Sequence, residues 1–354
     1  MARRILHLDS GRDWRGGQRQ ILFLVRGLRD AGMEGLVVAH PGSPLLRRLR
    51  LAGVASASVR MRADWDLMAV RRVRRIIRTW RPELVHAHDA RSHAIALSAL
   101  AGITTRPRPP LVVTRRVTFV PRGRIKYGAR VTRFIAISES VRDALVQGGV
   151  DTARIDIVYS GVPTPAANHR RDWRTECRWP ADVVVGGIVG AMTSEKGLTS
   201  LEAIMQALPE ASRNRLRLVL LGGAFGGIVP LGGVEAFRAG FVDEVHDAVA
   251  GLDFLLHPSR AEGLGTAVID AMALRVPPVA FAVGGLRELI EDGRNGVLVA
   301  AGDVQAFATA VERVIVDPAW RDALAAAGPE RAARFGVERM VDGTRAVYDR
   351  LLGA

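Results

Sequence analysis

Residues 257–299 read HPSRAEGLGTAVIDAMALRVPPVAFAVGGLRELIEDGRNGVLV, and their reading decides the fold. The apolar run Phe254 to Leu256 leads in as a buried strand, Glu262 to Gly265 forms a glycine-bearing turn, and a helix rich in Ala, Val, Ile and Met opens near Thr266. A helix N-terminus carries unsatisfied N–H groups and partial positive charge, so Gly263 and Gly265 let an anion such as phosphate approach the backbone closely. Glu262 stands just before the helix and Asp270 eight positions further on, so two carboxylates can accept from hydroxyls on either side of that anion. A ligand with hydroxyls flanking a phosphate group is a nucleotide sugar. Spacing alone also allows a βα loop without chemistry and a solvated glutamate.

The 354 residues suffice for two domains, each with its own core. With 48% hydrophobic and 24% charged residues the composition is globular and not disordered. No apolar run approaches the ~18–20 residues of a membrane span. The N-terminus turns polar after four apolar positions, which argues against a secretory signal. A single cysteine, Cys177, allows no internal disulfide and fits a reducing compartment, so the expected location is cytoplasmic, extending to the inner face of the cell membrane. The net charge of +14 is carried almost wholly by arginine, since lysine occurs only at Lys126 and Lys196. A basic surface draws nucleic acid, anionic lipid or anionic small substrates. No aromatic-interleaved basic run or zinc-ligand spacing accompanies it, so no nucleic-acid partner is expected.

Outward from the opening stretch, strands alternate with helical patterns along the whole chain, which implies parallel, doubly wound sheets. Arg4 to Leu8 is a strand, followed by a loop holding Gly16-Gly17 and a helix from about Gln18 to Asp30. The glycine pair is not a G-x-G-x-x-G fingerprint; it marks either close passage of backbone by a ligand or a tight turn. A helix from Asp66 to Trp80 carries Val70, Val73, Ile76, Ile77 and Trp80 on one stripe, with Arg71, Arg72, Arg74, Arg75 and Arg78 around the rest. Such a helix suits either an anionic bilayer or a sheet with its arginines in solvent. Asp64-Trp65-Asp66 has D-x-D form, but its place before a helix favours capping over metal binding. Leu84 to Asp89 is a strand running into a loop, with His86 and His88 on one face and the later one at the carboxyl end, where ligands bind in such sheets. Arg115-Arg116 close the strand Leu111 to Thr114 and suit an anionic acceptor or plain solvent. Pro163 to Pro180 has linker composition. Beyond it, Val183 to Val189 is a strand, Gly190 to Gly197 its loop and Leu198 to Leu208 the helix; Leu216 to Leu221 is a strand, Ala224 to Gly233 a glycine-rich loop, and Val337 to Leu352 the final helix.

Ser259, Arg260, Glu262, Gly263, Leu264, Gly265 and Ala271-Met272-Ala273 together resemble the signature of glycosyltransferase family 4, retaining enzymes of the GT-B fold whose pattern places a second Glu where Asp270 stands. The resemblance extends to the Gly16-Gly17 pair, to the H-x-H of His86 and His88, and to the G-R-x-x-x-x-K-G loop, of which Gly190, Lys196 and Gly197 are present while Ala191 replaces the arginine. Phe335 and Tyr348 fit its C-terminal pattern.

The resemblance implies two Rossmann-like domains, residues 1–165 with the returning helix 337–354 on the acceptor side and 166–336 on the nucleotide-sugar side, facing each other across a cleft. It implies retaining transfer of a hexose from a nucleotide diphosphate sugar to a glycan or lipid-linked acceptor hydroxyl in cell-envelope polysaccharide or lipopolysaccharide synthesis, with no metal or other cofactor. His88, Lys196 and Glu262 are the implied catalytic residues. Gly16 and Gly17 would lie against the sugars, and Gly190 and Lys196 against the diphosphate. Gly263, Leu264, Gly265 and Thr266 would follow the phosphate and Asp270 the ribose. Peripheral contact with an anionic membrane would use the Arg71–Arg78 helix. The losses at Ala191 and Asp270 keep a non-catalytic sugar-nucleotide-binding protein open as an alternative, beside a sugar-nucleotide epimerase.

Overall fold

The computed structural model describes residues 2–103, 107–123, 125–164 and 169–353. The chain forms two compact units, Met1–Gly161 together with Val337–Ala354, and Val162–Gly336. The break expected at 165–166 lies outside the described residues.

The first unit runs β1 (Arg4–Leu8), α1 (Gly16–Asp30), β2 (Glu34–Ala39), α2 (Pro44–Leu51), β3 (Ser56–Ser58), α3 (Leu67–Trp80), β4 (Leu84–Ala87) and α4 (Ala90–Ala101). It continues with β5 (Leu111–Arg115), β6 (Arg133–Ala136), α5 (Glu139–Gln147) and β7 (Ile155–Ile157). Its seven-stranded sheet has the order β3-β2-β1-β4-β5-β6-β7, every pair parallel.

The second unit begins with α6 (Trp173–Cys177), β8 (Val184–Val189), α7 (Leu198–Ala207), α8 (Glu210–Arg215), β9 (Leu216–Leu231), β10 (Val234–Gly240) and α9 (Val245–Ala250). It ends with β11 (Phe254–His257), α10 (Thr266–Ala273), β12 (Pro278–Phe281), α11 (Leu286–Leu289), β13 (Val297–Val299), α12 (Val304–Val316) and α13 (Pro318–Ala332). The sheet order is β10-β9-β8-β11-β12-β13, so both sheets reverse direction beside their first strand, which places the switch points between β1 and β4 and between β8 and β11.

The last helix, α14 (Val337–Leu352), returns to the first unit. Its Met340, Val341, Val347 and Tyr348 join the core of Ile5, Leu24, Leu28, Leu84 and Ile135. Each large apolar side chain so buried is worth about 1.5–3 kcal/mol, which holds the helix there. A Cβ on Gly27 of α1 would stand 2.4 Å from Val341, so only glycine allows this approach.

Four segments depart from expectation. Helix α1 starts at Gly16, which puts the glycine pair in its first turn rather than in the preceding loop. Residues 90–101 form α4, unforeseen after the His-x-His run; Asp89 caps it by accepting from the N–H groups of Arg91 and Ser92. The linker reading of 163–180 does not hold for its second half, because Trp173 is fully buried in α6 and donates Nε1–H to Ala248 O at 2.8 Å. Ala224–Gly233 is not a loop: β9 runs on to Leu231 and pairs antiparallel with β10. Gly232 and Gly233, both at positive φ, supply the two-residue turn whose twist suits a hairpin.

Candidate functional site

In the second unit the βα turns after β8 and β11 meet backbone to backbone. Arg260 N–H donates to Glu195 O at 3.0 Å, and a Cβ on Gly197, at φ +83, would stand 2.0 Å from Pro258 O. That approach brings Lys196 Nζ to 2.6 Å from Glu262 Oε2. His257 Nε2 lies 2.9 Å from the same oxygen and Ser259 Oγ 3.2 Å from that nitrogen. Burial alone would raise the Glu262 carboxyl; the hydrogen bond and charge of His257 and the Lys196 ammonium outweigh it and hold the group at about 2. Glu262 is therefore a carboxylate throughout the physiological range, mostly covered, with Lys196 partly open to solvent.

Helix α10 begins immediately after this turn. Gly265 is its N-cap at φ +100 and no side chain caps it; a Cβ there would stand 2.6 Å from Leu286. Gly263 and Leu264 are buried under Gly285, and a Cβ on Gly284 would stand 1.8 Å from Glu262 O. The Gly284-Gly285 turn thus fixes the strand-to-helix turn from behind. Asp270 is buried in α10, with Oδ1 3.1 Å from His246 Nε2 of α9. An ammonium, a bare helix N-terminus and an ionised carboxylate stand side by side, which suits a diphosphate next to hydroxyl groups.

In the first unit, His7 of β1 and His86 of β4 are register partners, and His88 follows two positions on. Their ligating atoms lie within 4.8 Å of one another, the one group of metal-binding type found among the described residues. Both His86 nitrogens are engaged, Nδ1 with Tyr348 OH at 2.5 Å and Nε2 with Thr114 Oγ1 at 2.7 Å. His88 Nε2 meets His7 Nδ1 at 3.0 Å, leaving His88 Nδ1 and His7 Nε2 without a partner among the described residues. Burial pulls all three well below the usual imidazole value, His7 to about 3, so they are neutral.

Beside them Asp9 and Asp89 crowd the same strand ends. Burial, reinforced by the Asp89 charge, raises Asp9 to about 7. Arg116 is lowered to about 10 by burial although both aspartates favour its charge. Arg115 is committed to Tyr127 OH at 2.8 Å and to Phe119 O, so the two adjacent arginines differ in kind.

Lys196, Glu262, Gly263, Leu264, Gly265 and Thr266 come together, with Gly190 at the start of the Lys196 loop at φ +142. Asp270 is reached through α10 and pairs with a histidine. Gly16 and Gly17, in the first turn of α1, and His88, just past the end of β4, belong to the first unit instead. Sequence reasoning passed over His257, His246 and Asp9. His257 and Asp9 each end or follow a strand, the position that singled out His88; His246 carried no comparable signal. In α3, Arg74 and Arg78 donate to the Ser98, Ala99 and Gly102 carbonyls at the end of α4, leaving Arg71, Arg72 and Arg75 exposed. Asp66 caps α3 by accepting from Met68 and Ala69, and Asp64 pairs with Lys126.

Two Rossmann-like units, each a largely parallel sheet with polar βα turns at its switch point, have the architecture of the GT-B fold. Residues 14–165 match Glycosyltransferase Family 4 and residues 184–317 match Glycosyl transferases group 1. The 2-deoxystreptamine N-acetyl-D-glucosaminyltransferase of Streptomyces fradiae is 28% identical over 96% of this chain and 92% of its own. The 2-deoxystreptamine glucosyltransferase of Streptomyces kanamyceticus is 28% identical over 95% and 99%. Anabaena Alr3699/HepE, solved in complex with UDP-glucose, superposes with a TM-score of 0.82 at 19% identity, covering 98% of this chain and 99% of that one. The two halves of the chain thus match glycosyltransferase models in turn, and the relatives it resembles over nearly its whole length are glycosyltransferases.

Proposed function

We propose that this glycosyltransferase takes a hexose from a nucleotide diphosphate sugar bound by the second unit and transfers it, with retention and without a metal, to a hydroxyl acceptor bound by the first. The observation that carries the reading is the 2.6 Å contact between Lys196 and Glu262 across two βα turns, at the bare N-terminus of α10. Lys196 and the N–H groups of Gly265 and Thr266 stabilise the departing diphosphate, the electrostatic contribution that usually dominates such catalysis. Glu262 accepts from hydroxyls of the donor sugar, Asp270 from the ribose, and His88 Nδ1 is the imidazole nitrogen offered to the sugar. Retention follows if the acceptor hydroxyl attacks the face the diphosphate leaves, a diphosphate oxygen taking its proton. Metal independence is supported by Lys196 standing where a cation would neutralise that charge, and by His86 having both nitrogens hydrogen-bonded.

The acceptor belongs to cell-envelope polysaccharide or lipopolysaccharide synthesis in this reading. Attachment to an anionic membrane would use Arg71, Arg72 and Arg75 with the exposed Trp65, Leu67 and Met68 at the start of α3. No helix among the described residues is long and apolar enough to cross a membrane. The test is transfer from nucleotide sugars to candidate lipid-linked and glycan acceptors, with and without EDTA, the product anomer read by NMR. Retained configuration and EDTA-resistant turnover are expected; inversion, or loss of turnover restored by a divalent cation, refutes the mechanism.

A further inference from the structure

Both hydrogen bonds to the Glu262 side chain fall on one of its oxygens. Lys196 Nζ lies 2.6 Å and His257 Nε2 2.9 Å from Oε2, while Oε1 has no hydrogen-bond partner among the described residues. A carboxylate only accepts, so His257 Nε2 carries the proton and donates it. Ser259 Oγ, 3.2 Å from the same nitrogen, stands beside that N–H as a second acceptor.

The two donors differ in freedom. His257 ends β11, is the register partner of Ala280 in β12, and has a side chain only 4% exposed. Lys196 lies in the turn after β8 with 36% of its side chain exposed, and its ammonium sits on a flexible four-carbon stem. One donor is fixed by the fold; the other can turn away. The backbones of the two turns stay joined whichever way the lysine side chain points, because Arg260 N–H donates to Glu195 O at 3.0 Å.

A diphosphate at the start of α10 competes for the ammonium, since it carries more negative charge than one carboxylate. Glu262 is mostly covered, and a covered carboxylate is unfavourable without a donor to hold its charge. Burial pushes the Glu262 carboxyl up; against it, the hydrogen bond and charge of His257 stand ahead of those of Lys196. His257 is therefore sufficient to retain the carboxylate once the lysine has turned.

We infer that His257 is a positioning residue for the donor sugar: it holds Glu262 Oε2 in place when Lys196 turns to the diphosphate, so that Oε1 is presented to a sugar hydroxyl. This rests on the roles proposed above for Lys196 and Glu262. Ser259, on the same nitrogen, keeps the imidazole ring from rotating out of that bond.

Calorimetric titration of the full-length protein with UDP, GDP and ADP reads the diphosphate contact alone, and titration with UDP-glucose, GDP-glucose and ADP-glucose adds the sugar. For the base that binds, His257→Leu is expected to weaken the glucose conjugate about tenfold or more, the scale of losing one hydrogen bond to a charged group. Affinity for the bare diphosphate should stay within about threefold of wild type, and His257→Gln, which keeps an N–H near the position of Nε2, should recover most of the loss. Equal weakening of both ligands, or of neither, overturns the inference. If His257→Leu does not fold, the pair His257→Gln and His257→Asn carries the test: the shorter amide should bind the conjugate more weakly than the longer one, and equal affinities overturn the role. The donor reading fails separately, if Lys196→Ala holds the bare diphosphate as tightly as wild type.

Discussion

At the strand ends of the second unit, polar side chains pair with one another: Lys196 and His257 share a single oxygen of Glu262, and His246 meets Asp270. At the corresponding ends of the first unit, Asp9, Asp89 and Arg116 influence one another without an ion pair, and three histidines are neutral through burial. A paired site holds its carboxylate ionised and must exchange internal contacts for ligand contacts. An unpaired one keeps donors in reserve and leaves a carboxyl poised near neutrality. Sheets that share the place of their switch point thus hold a closely paired cluster in one half and, in the other, buried polar groups that influence one another without pairing.

Breaking the paired side should cost most. Glu262→Ala and Lys196→Ala are each expected to lower the transfer rate by about 10²–10³-fold, the range for removing one preorganised electrostatic contact, with melting temperatures showing both variants folded. Turnover within a few-fold of wild type in a single-turnover assay would remove the paired site from the chemistry.

Stability against pH separates the two carboxyls by sign. Asp9, raised from its ordinary 3.8 to about 7, binds more protons folded than unfolded, so its contribution is fully present below about 4 and lost as the pH rises to about 7. Glu262, depressed from 4.5 to about 2, contributes stability above about 4.5 that is lost as the pH falls towards 2. The shifts correspond to on the order of 4 and 3 kcal/mol respectively. Asp9→Asn should gain on wild type in calorimetric melting as the pH rises from about 4 to about 7. Glu262→Gln should instead lose ground on wild type as the pH rises from about 2 to about 4.5. Parallel pH curves for wild type and Asp9→Asn would remove the contrast.

A smaller effect sharpens the comparison at the backbone. Gly284→Ala combines a left-handed residue, about 1–2 kcal/mol, with a clash against Glu262 O that adds about 1–3 kcal/mol of overpacking. Gly42→Ala has the same handedness at φ +73 and open space around it, so about 1–2 kcal/mol is expected. Chemical denaturation should rank Gly284→Ala as the more damaging. Equal losses would mean that the turn behind Glu262 yields freely.

The βαβ alternation and the Glu262 turn were legible because hydrophobic periodicity and glycine placement are local signals. The start of α1 was misplaced by two residues, since Gly16-Gly17 reads as loop until an uncapped helix is seen to begin there. The β9–β10 hairpin hid behind the same residue type: Ala224–Gly233 looks like loop composition, yet Gly232-Gly233 between two apolar runs is a hairpin signal. Asp89 sits before α4 as a cap, but its helix carries a weak polar face and was passed over. Glu262's bond to Lys196 spans 66 residues, and Tyr348's to His86 spans 262, distances no window on the sequence can bridge.

The central claim is that Lys196 and the start of α10 hold the diphosphate of a nucleotide-sugar donor. Calorimetric titration of UDP, GDP and ADP into wild type and Lys196→Ala tests it most directly. The account predicts that at least one of the three binds wild type and binds Lys196→Ala tenfold or more weakly. Equal affinity for the two proteins, or no binding of any of the three to wild type, would contradict it.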